Sequence, residues 1–218
     1  MGNYILKLTT VVLIIFSFFA CRNTGYLDDF QFGQTIEEFE KQLGHPVNYK
    51  NFVIGNKDSI YYDEADFIYS PELDGYHDSI QLIPIADKKI ANYSGIIGDE
   101  VVFRAYDGVI GGYKMTISDV DQIQKLMDII LEQHPDIQLY DDGVCRFKKY
   151  INDTTVVQLW LNETIPGKLF AILTYSTKVG KGSPALLYQN YDNKLDTLTK
   201  RVKIMRRKDG GYYVLQEK

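Results

Sequence analysis

"GVCRFKKYINDTTVVQLWLNETIPGKLFAILTYS", residues 143–176, holds three runs of aliphatic, aromatic and β-branched residues separated by two short breaks. The breaks fall at Asn152-Asp153 and Pro166-Gly167, residue types that favour turns and interrupt a ladder. Each run is long enough for one strand, and neither break leaves room for a crossover. Strands joined this tightly pair antiparallel, so the stretch predicts a three-stranded meander.

Just before it, "YKMTISDVDQIQKLMDIILEQHP" (113–135) changes period. Val120, Ile123, Met127, Ile130 and Leu131 fall on one helical face, Ser118 is the expected N-cap, and His134-Pro135 ends the run. A shorter helix is expected over 35–43. Thr35 and Glu38 form a capping box, Ile36, Phe39 and Leu43 a single apolar stripe, and Gly44 and Pro46 a stop. Strand-like runs lie between the helices at 47–54, 59–70, 79–85 and 100–107, with turn residues at Gly55-Asn56, Asp74-Gly75 and Asp107-Gly108. The glycines of "YDGVIGGYKM" (106–115) read as turns or a bulge and do not form a phosphate-binding fingerprint. Near the C-terminus, residues 201–216 alternate around a turn at Asp209-Gly210-Gly211 and predict a terminal hairpin. Its Lys and Arg residues suit an edge strand, and they would also suit anionic lipid.

The fold class is therefore α+β, with two helices packed on antiparallel sheet. Each helix follows a Thr-Ile pair and ends at His-Pro, an echo that raises a duplicated helix-plus-sheet unit with halves 31–108 and 109–218.

The N-terminus is read separately. Lys7 precedes an apolar stretch, Leu8 to Phe19, that is too short to span a bilayer and ends at Ala20-Cys21. That outline predicts a signal peptide over 1–20. Phe18-Phe19-Ala20-Cys21 resembles a bacterial lipobox, in the loose aromatic form found in Bacteroidota lipoproteins. The resemblance implies cleavage before Cys21, lipidation of that cysteine, a tether over 21–30, and a folded domain over 31–218 in the cell envelope. With Cys21 carrying lipid, Cys145 has no partner for a disulfide and is expected as a small buried hydrophobe. Four triplets beginning Asp-Ser or Asp-Thr resemble the O-glycosylation signal of exported Bacteroides proteins, which makes Ser59, Ser79, Thr154 and Thr197 candidate acceptors. Gly33, Thr35, Glu38, Leu43, Gly44 and Pro46 resemble the first helix of the outer-membrane assembly lipoproteins and of the fold shared with proteinaceous β-lactamase inhibitors. That resemblance implies helices against an antiparallel sheet and binding to other proteins.

Of the 218 residues, 24 are basic and 29 acidic; loss of Lys7 with the signal leaves 23 basic residues and a net charge of −6. A mildly acidic chain excludes general nucleic-acid binding, which needs a basic domain. His45, His77 and His134 share no metal-ligand spacing, and His45 and His134 are expected as cations at helix C-termini. The acidic group Asp63, Glu64, Asp66, Glu72 and Asp74 lacks the spacing of a calcium loop. No metal and no cofactor are expected. The leading reading is a non-enzymatic lipid-anchored adaptor that binds another envelope protein, with Tyr61, Tyr62, Tyr69 and Tyr76 as the candidate surface. A glycan or small-ligand binder would instead expose Tyr106, Tyr113 or Trp160 as a platform. A hydrolase, the third reading, would set His77 in a cleft beside Asp74 or Asp78.

Overall fold

The computed structural model describes residues 25–53, 79–140, 144–152, 154–165, 167–177, 179, 194–197 and 202–216. The chain runs through α1 (Ile36–Leu43), β1 (Lys50–Val53), β2 (Ser79–Ile85), β3 (Asn92–Tyr93), β4 (Ile96–Ile97), β5 (Glu100–Tyr106) and β6 (Val109–Ile117). It continues through α2 (Val120–Gln133), β7 (Gln138–Tyr140), β8 (Cys145–Asn152), β9 (Thr155–Ile165), β10 (Lys168–Thr177), β11 (Lys194–Thr197), β12 (Val202–Arg206) and β13 (Tyr212–Gln216). The strand-like run at 59–70 lies outside the described residues.

The predicted meander is β8-β9-β10, every pair antiparallel. It belongs to one nine-stranded sheet in the order β1-β2-β5-β6-β10-β9-β8-β7-β11. Eight of the nine strands form two sets, each a helix followed by four strands of the sheet, that meet through their last members, β6 and β10, paired antiparallel; β11 is added at the edge beyond β7. Apart from β11, the order is symmetric about the β6–β10 seam, the topology that a two-fold repeat would produce. Such a repeat would divide after Ile117. A division between 108 and 109 would cut the β5–β6 hairpin at its two-residue turn, where Asp107 and Gly108 both have positive φ.

Sequence reasoning did not give β6, because Gly111-Gly112 reads as a break. Both glycines answer close contacts. Gly111 is the extra residue of a bulge, since Arg104 pairs with Gly112 and Ala105 with Ile110. A Cβ on Gly111 would lie 3.1 Å from the Tyr106 ring, and one on Gly112 would lie 2.7 Å from the Tyr175 carbonyl oxygen.

Both helices cover the same face of the sheet. In α1 the capping box forms as expected, Gly44 caps the C-terminus with φ 78°, and Phe39 is fully buried against Phe103 with ring centroids 4.8 Å apart. In α2 the N-cap is Asp119 and not Ser118: its carboxylate accepts the Gln122 amide at 2.9 Å. Asp and Ser cap equally well, so register decides between them. Ile123, Leu126, Met127 and Ile130 are buried, while Val120 and Leu131 pack at the margin. The hairpin β12–β13 is no edge of the main sheet. It forms a separate two-stranded sheet against α2, held by Gln124, which donates to the Val202 carbonyl and accepts from the Ile204 amide.

The tether expected through residue 30 ends sooner. Leu27 and Phe30 are buried in the core, because an apolar Leu and Phe gain more from the Phe103–Tyr113 cluster than from water.

Phe103→Ala should lower stability by about 3–5 kcal/mol, the usual cost of emptying a fully buried aromatic site. Thr35→Ala should cost about 1 kcal/mol through the lost cap. Urea titration of each variant measures both.

Candidate functional site

The helix-covered face holds one extended polar cluster inside an otherwise apolar core. It begins in the N-terminal segment, where the Asp28 carboxylate accepts the Gly25 and Ser94 amides, each at 2.6 Å, and the Ser94 hydroxyl. Ser94-Gly95 is the two-residue turn of the β3–β4 hairpin, with both residues at positive φ. Leu27 adds a backbone bond to the Asn92 carbonyl. A Cβ on Gly25 would lie 2.2 Å from that same oxygen, so only glycine lets the chain approach so closely.

From Ser94 the bonds run on through Gln133 at the end of α2. Gln133 donates to the Ser94 hydroxyl at 3.5 Å and accepts from the Tyr93 hydroxyl at 2.5 Å. Tyr93 and Tyr175 share a hydroxyl contact of 2.8 Å, and the Tyr175 hydroxyl lies 3.3 Å from His134 Nε2. The Tyr175 ring packs on Tyr113, centroids 5.4 Å apart, and Tyr113 donates to the Leu27 carbonyl. The cluster therefore ties the N-terminal segment, the β3–β4 hairpin, the end of α2 and β10 into one unit.

Burial sets the ionisation of these groups. It raises the pKa values of Tyr93 and Tyr113 and carries that of Tyr175 up to about 12, so all three stay neutral donors and acceptors. Burial lowers the pKa of His134, as does nearby Lys149, with Asp136 acting weakly the other way. Lys149 and Asp136 pair with each other. His134 is accordingly not the helix C-terminal cation expected from sequence. Half-buried beside Tyr175, it favours the neutral ring.

The opposite face of the sheet mixes apolar residues, Leu82, Val156 and Ile172 among them, with polar and cationic ones. By strand alternation it carries Arg104, Lys114, Arg146 and Lys148, with Gln158, Ser176 and Trp160 between them. Arg104 donates to the Tyr106 hydroxyl at 3.0 Å. Arg104, Arg146 and Lys148 are buried and none of them is free. Tyr106 and Tyr113 are buried as well and Trp160 is half-buried, so the exposed platform expected of a glycan binder does not form from Tyr106 or Tyr113. Their burial follows from strand register, which turns Tyr113 to the helices and packs Tyr106 against Gly111.

The remaining sequence candidates scatter. Cys145 is buried with its thiol pKa pushed up by desolvation, the state of a core residue and not of a nucleophile. Thr154 is exposed at the β8–β9 turn, where its hydroxyl donates to the Asn152 side chain at 2.7 Å. Ser79 is half-buried, its hydroxyl donating to Asp107 and accepting from Gln81. Thr197 pairs with Gln138 at the edge of the sheet. Cys21, Ser59, Tyr61, Tyr62, Tyr69 and Tyr76 lie outside the described residues, as do His77 and the acidic group from Asp63 to Asp74. Among the described residues, no cluster of three or more His, Cys, Asp or Glu is placed to hold a metal. Asp28, Tyr93, Ser94, Gln133 and Tyr175 are the members of the polar cluster that sequence reasoning missed; Tyr93 and Ser94 aside, they are far apart in the chain, and they carry no shared motif.

No family model, curated protein or solved structure matches this chain.

Two outcomes follow from the cluster. The His134 pKa lies below the ordinary value of about 6.5 in the folded chain, so between the two values only the unfolded chain holds the proton. Stability is full above about pH 6.5 and falls on acidification through that window. Thermal melts across this range should show the fall, and His134→Gln should flatten it. Tyr175→Phe, which removes the hydroxyl between Tyr93 and His134, should cost about 0.5–1.5 kcal/mol by urea titration.

Proposed function

We propose that the chain is a lipid-anchored protein of the bacterial envelope that works by binding another envelope protein. The observation that carries this reading is the fixation of the segment next to Cys21. Gly25, Leu27 and Asp28 are bonded into the body, so only residues 22–24 separate the candidate lipid-bearing residue from rigid structure. Four residue steps reach at most about 14 Å. A body held this close to the bilayer presents the same side to its surroundings at all times, a property suited to docking with a neighbour in the same membrane. A long tether would serve a freely ranging binder better.

The polar side chains that the fold gathers on its helix-covered face support the same reading, because each is used in joining one element to another. The tyrosine hydroxyls, with pKa values raised by burial, make poor acids and worse nucleophiles. Thr154, exposed on a tight turn, is the acceptor best suited to glycosylation among the described candidates.

Intact-mass measurement on the membrane fraction of the native host, combined with crosslinking, tests the reading. The expected mass is that of a chain beginning at a triacylated Cys21, and the crosslinked neighbour should be an envelope protein. Cys21→Ala should abolish both. A soluble, unlipidated wild-type chain would overturn the anchor. A hexose-bearing mass increment that persists in Thr154→Ala would move glycosylation to another residue.

A further inference from the structure

We propose that the outward face of the β12–β13 hairpin is a second membrane contact, resting on anionic lipid headgroups. The hairpin has two different sides. Val202, Ile204, Tyr212 and Val214 turn inward and pack on the core beside α2. Met205 and Leu215 are on the other side, 36% and 43% exposed, with Lys203 next to them across the ladder. Arg207 and Lys208 continue the exposed surface into the turn, and Arg206, exposed at the end of β12, alternates onto the side of Ile204.

Five large apolar residues are exposed among the described residues, and Met205 and Leu215 are two of them. A third, Ile165, 53% exposed, ends β9 before the β9–β10 turn, whose Gly167 lies against the Gly210 carbonyl. Two acids are close. Glu163 accepts the Tyr212 amide at 3.3 Å and Asp209 accepts the Gly211 amide at 3.1 Å. Among the described residues, Arg206, Arg207 and Lys208 outnumber these two anions and leave this end of the hairpin positive. Exposed aliphatic side chains among cations are what the headgroup layer accepts: the apolar groups enter the boundary of the acyl region and the cations meet phosphate.

Lipid is favoured over an acidic protein by where the chain approaches its anchor. Gln124 of α2 holds the hairpin, and Gln133, nine residues later, holds Ser94 and through it Asp28. The two points are about 14 Å apart along one helix axis. The hairpin and the segment leading to Cys21 thus lie on the same, helix-bearing side of the sheet, where one plane can touch both. The orientation rests on the lipid-anchor reading above.

The test uses the lipidated chain reconstituted into vesicles of phosphatidylcholine with or without phosphatidylglycerol. A fluorophore is attached through Leu215→Cys, where buried Cys145 will not compete. Headgroup-level spin-labelled lipid should quench it about threefold more strongly in anionic vesicles, and Arg207→Glu with Lys208→Glu should return quenching to the neutral-vesicle level. Equal quenching in the two vesicle types, or no effect of charge reversal, overturns the contact. So does a photocrosslinker at the same position that captures a protein and no lipid in native membranes. Intact mass of the same sample separates the two readings. A lipidated chain without anionic-dependent quenching loses the contact and keeps the anchor. An unlipidated chain that is still quenched in a charge-dependent way loses the anchor and keeps the contact.

Discussion

Pairing between β6 and β10 is the constraint on which the rest of the molecule depends. Six residue pairs run from Ala171 opposite Ile117 to Ser176 opposite Gly112, and among the described residues they are the strand pairing that joins the two meanders. A four-stranded sheet with one helix has little core of its own. At the seam Leu173 faces Met115 and Tyr175 faces Tyr113, so the two helices lie over one continuous apolar surface. Close approach at Gly112 is part of the same constraint: the nearest atom to an added Cβ there is a carbonyl of β10, and a side chain would push the strands apart where they are joined.

The seam also explains why the polar cluster forms at Tyr175. Tyr175 stands at the point where α2 ends over β10, and where the β3–β4 hairpin brings in Tyr93 from the first half. A hydroxyl in such a place must be bonded or it destabilises the core. Tyr93, Gln133 and His134 meet that need, and Ser94 extends the bonds to Asp28. The N-terminal segment is fixed as a consequence of satisfying buried groups in the centre of the sheet. Attachment of the body to the approach toward Cys21 is therefore coupled to the integrity of the core.

Much of this was legible in sequence wherever the signal is local. The capping box at Thr35 and Glu38, the apolar stripe of α2, the Asp107-Gly108 turn and the three strands from 143 to 176 each rest on residues within one helical turn or one hairpin. What was not legible depends on partners distant in the chain. Gly111-Gly112 looks like a break until Tyr106 and the Tyr175 carbonyl are known to press on it. His134 looks like a helix-end cation until Tyr175 and Lys149 are known to crowd it. Asp28 and Leu27 look like linker residues because nothing nearby in sequence indicates that Ser94 and Asn92 receive them.

The two faces of the sheet divide the electrostatics of the protein. Arg104, Arg146 and Lys148 are buried on the face away from the helices, and a buried cation is tolerated only where its charge is met by other groups. Charge on that face is committed to the chain's own structure. Arg207 and Lys208 in the turn of the terminal hairpin are instead exposed, on an element held against α2 by Gln124. A chain of net negative charge would be repelled as a whole by an anionic membrane beyond roughly one screening length of 8–10 Å. Only a local basic surface brought within that distance can reverse the sign of the interaction. Under the proposed anchoring at Cys21, the four residue steps to Gly25 span at most about 14 Å, which would hold the body near that range, where a local basic surface can act.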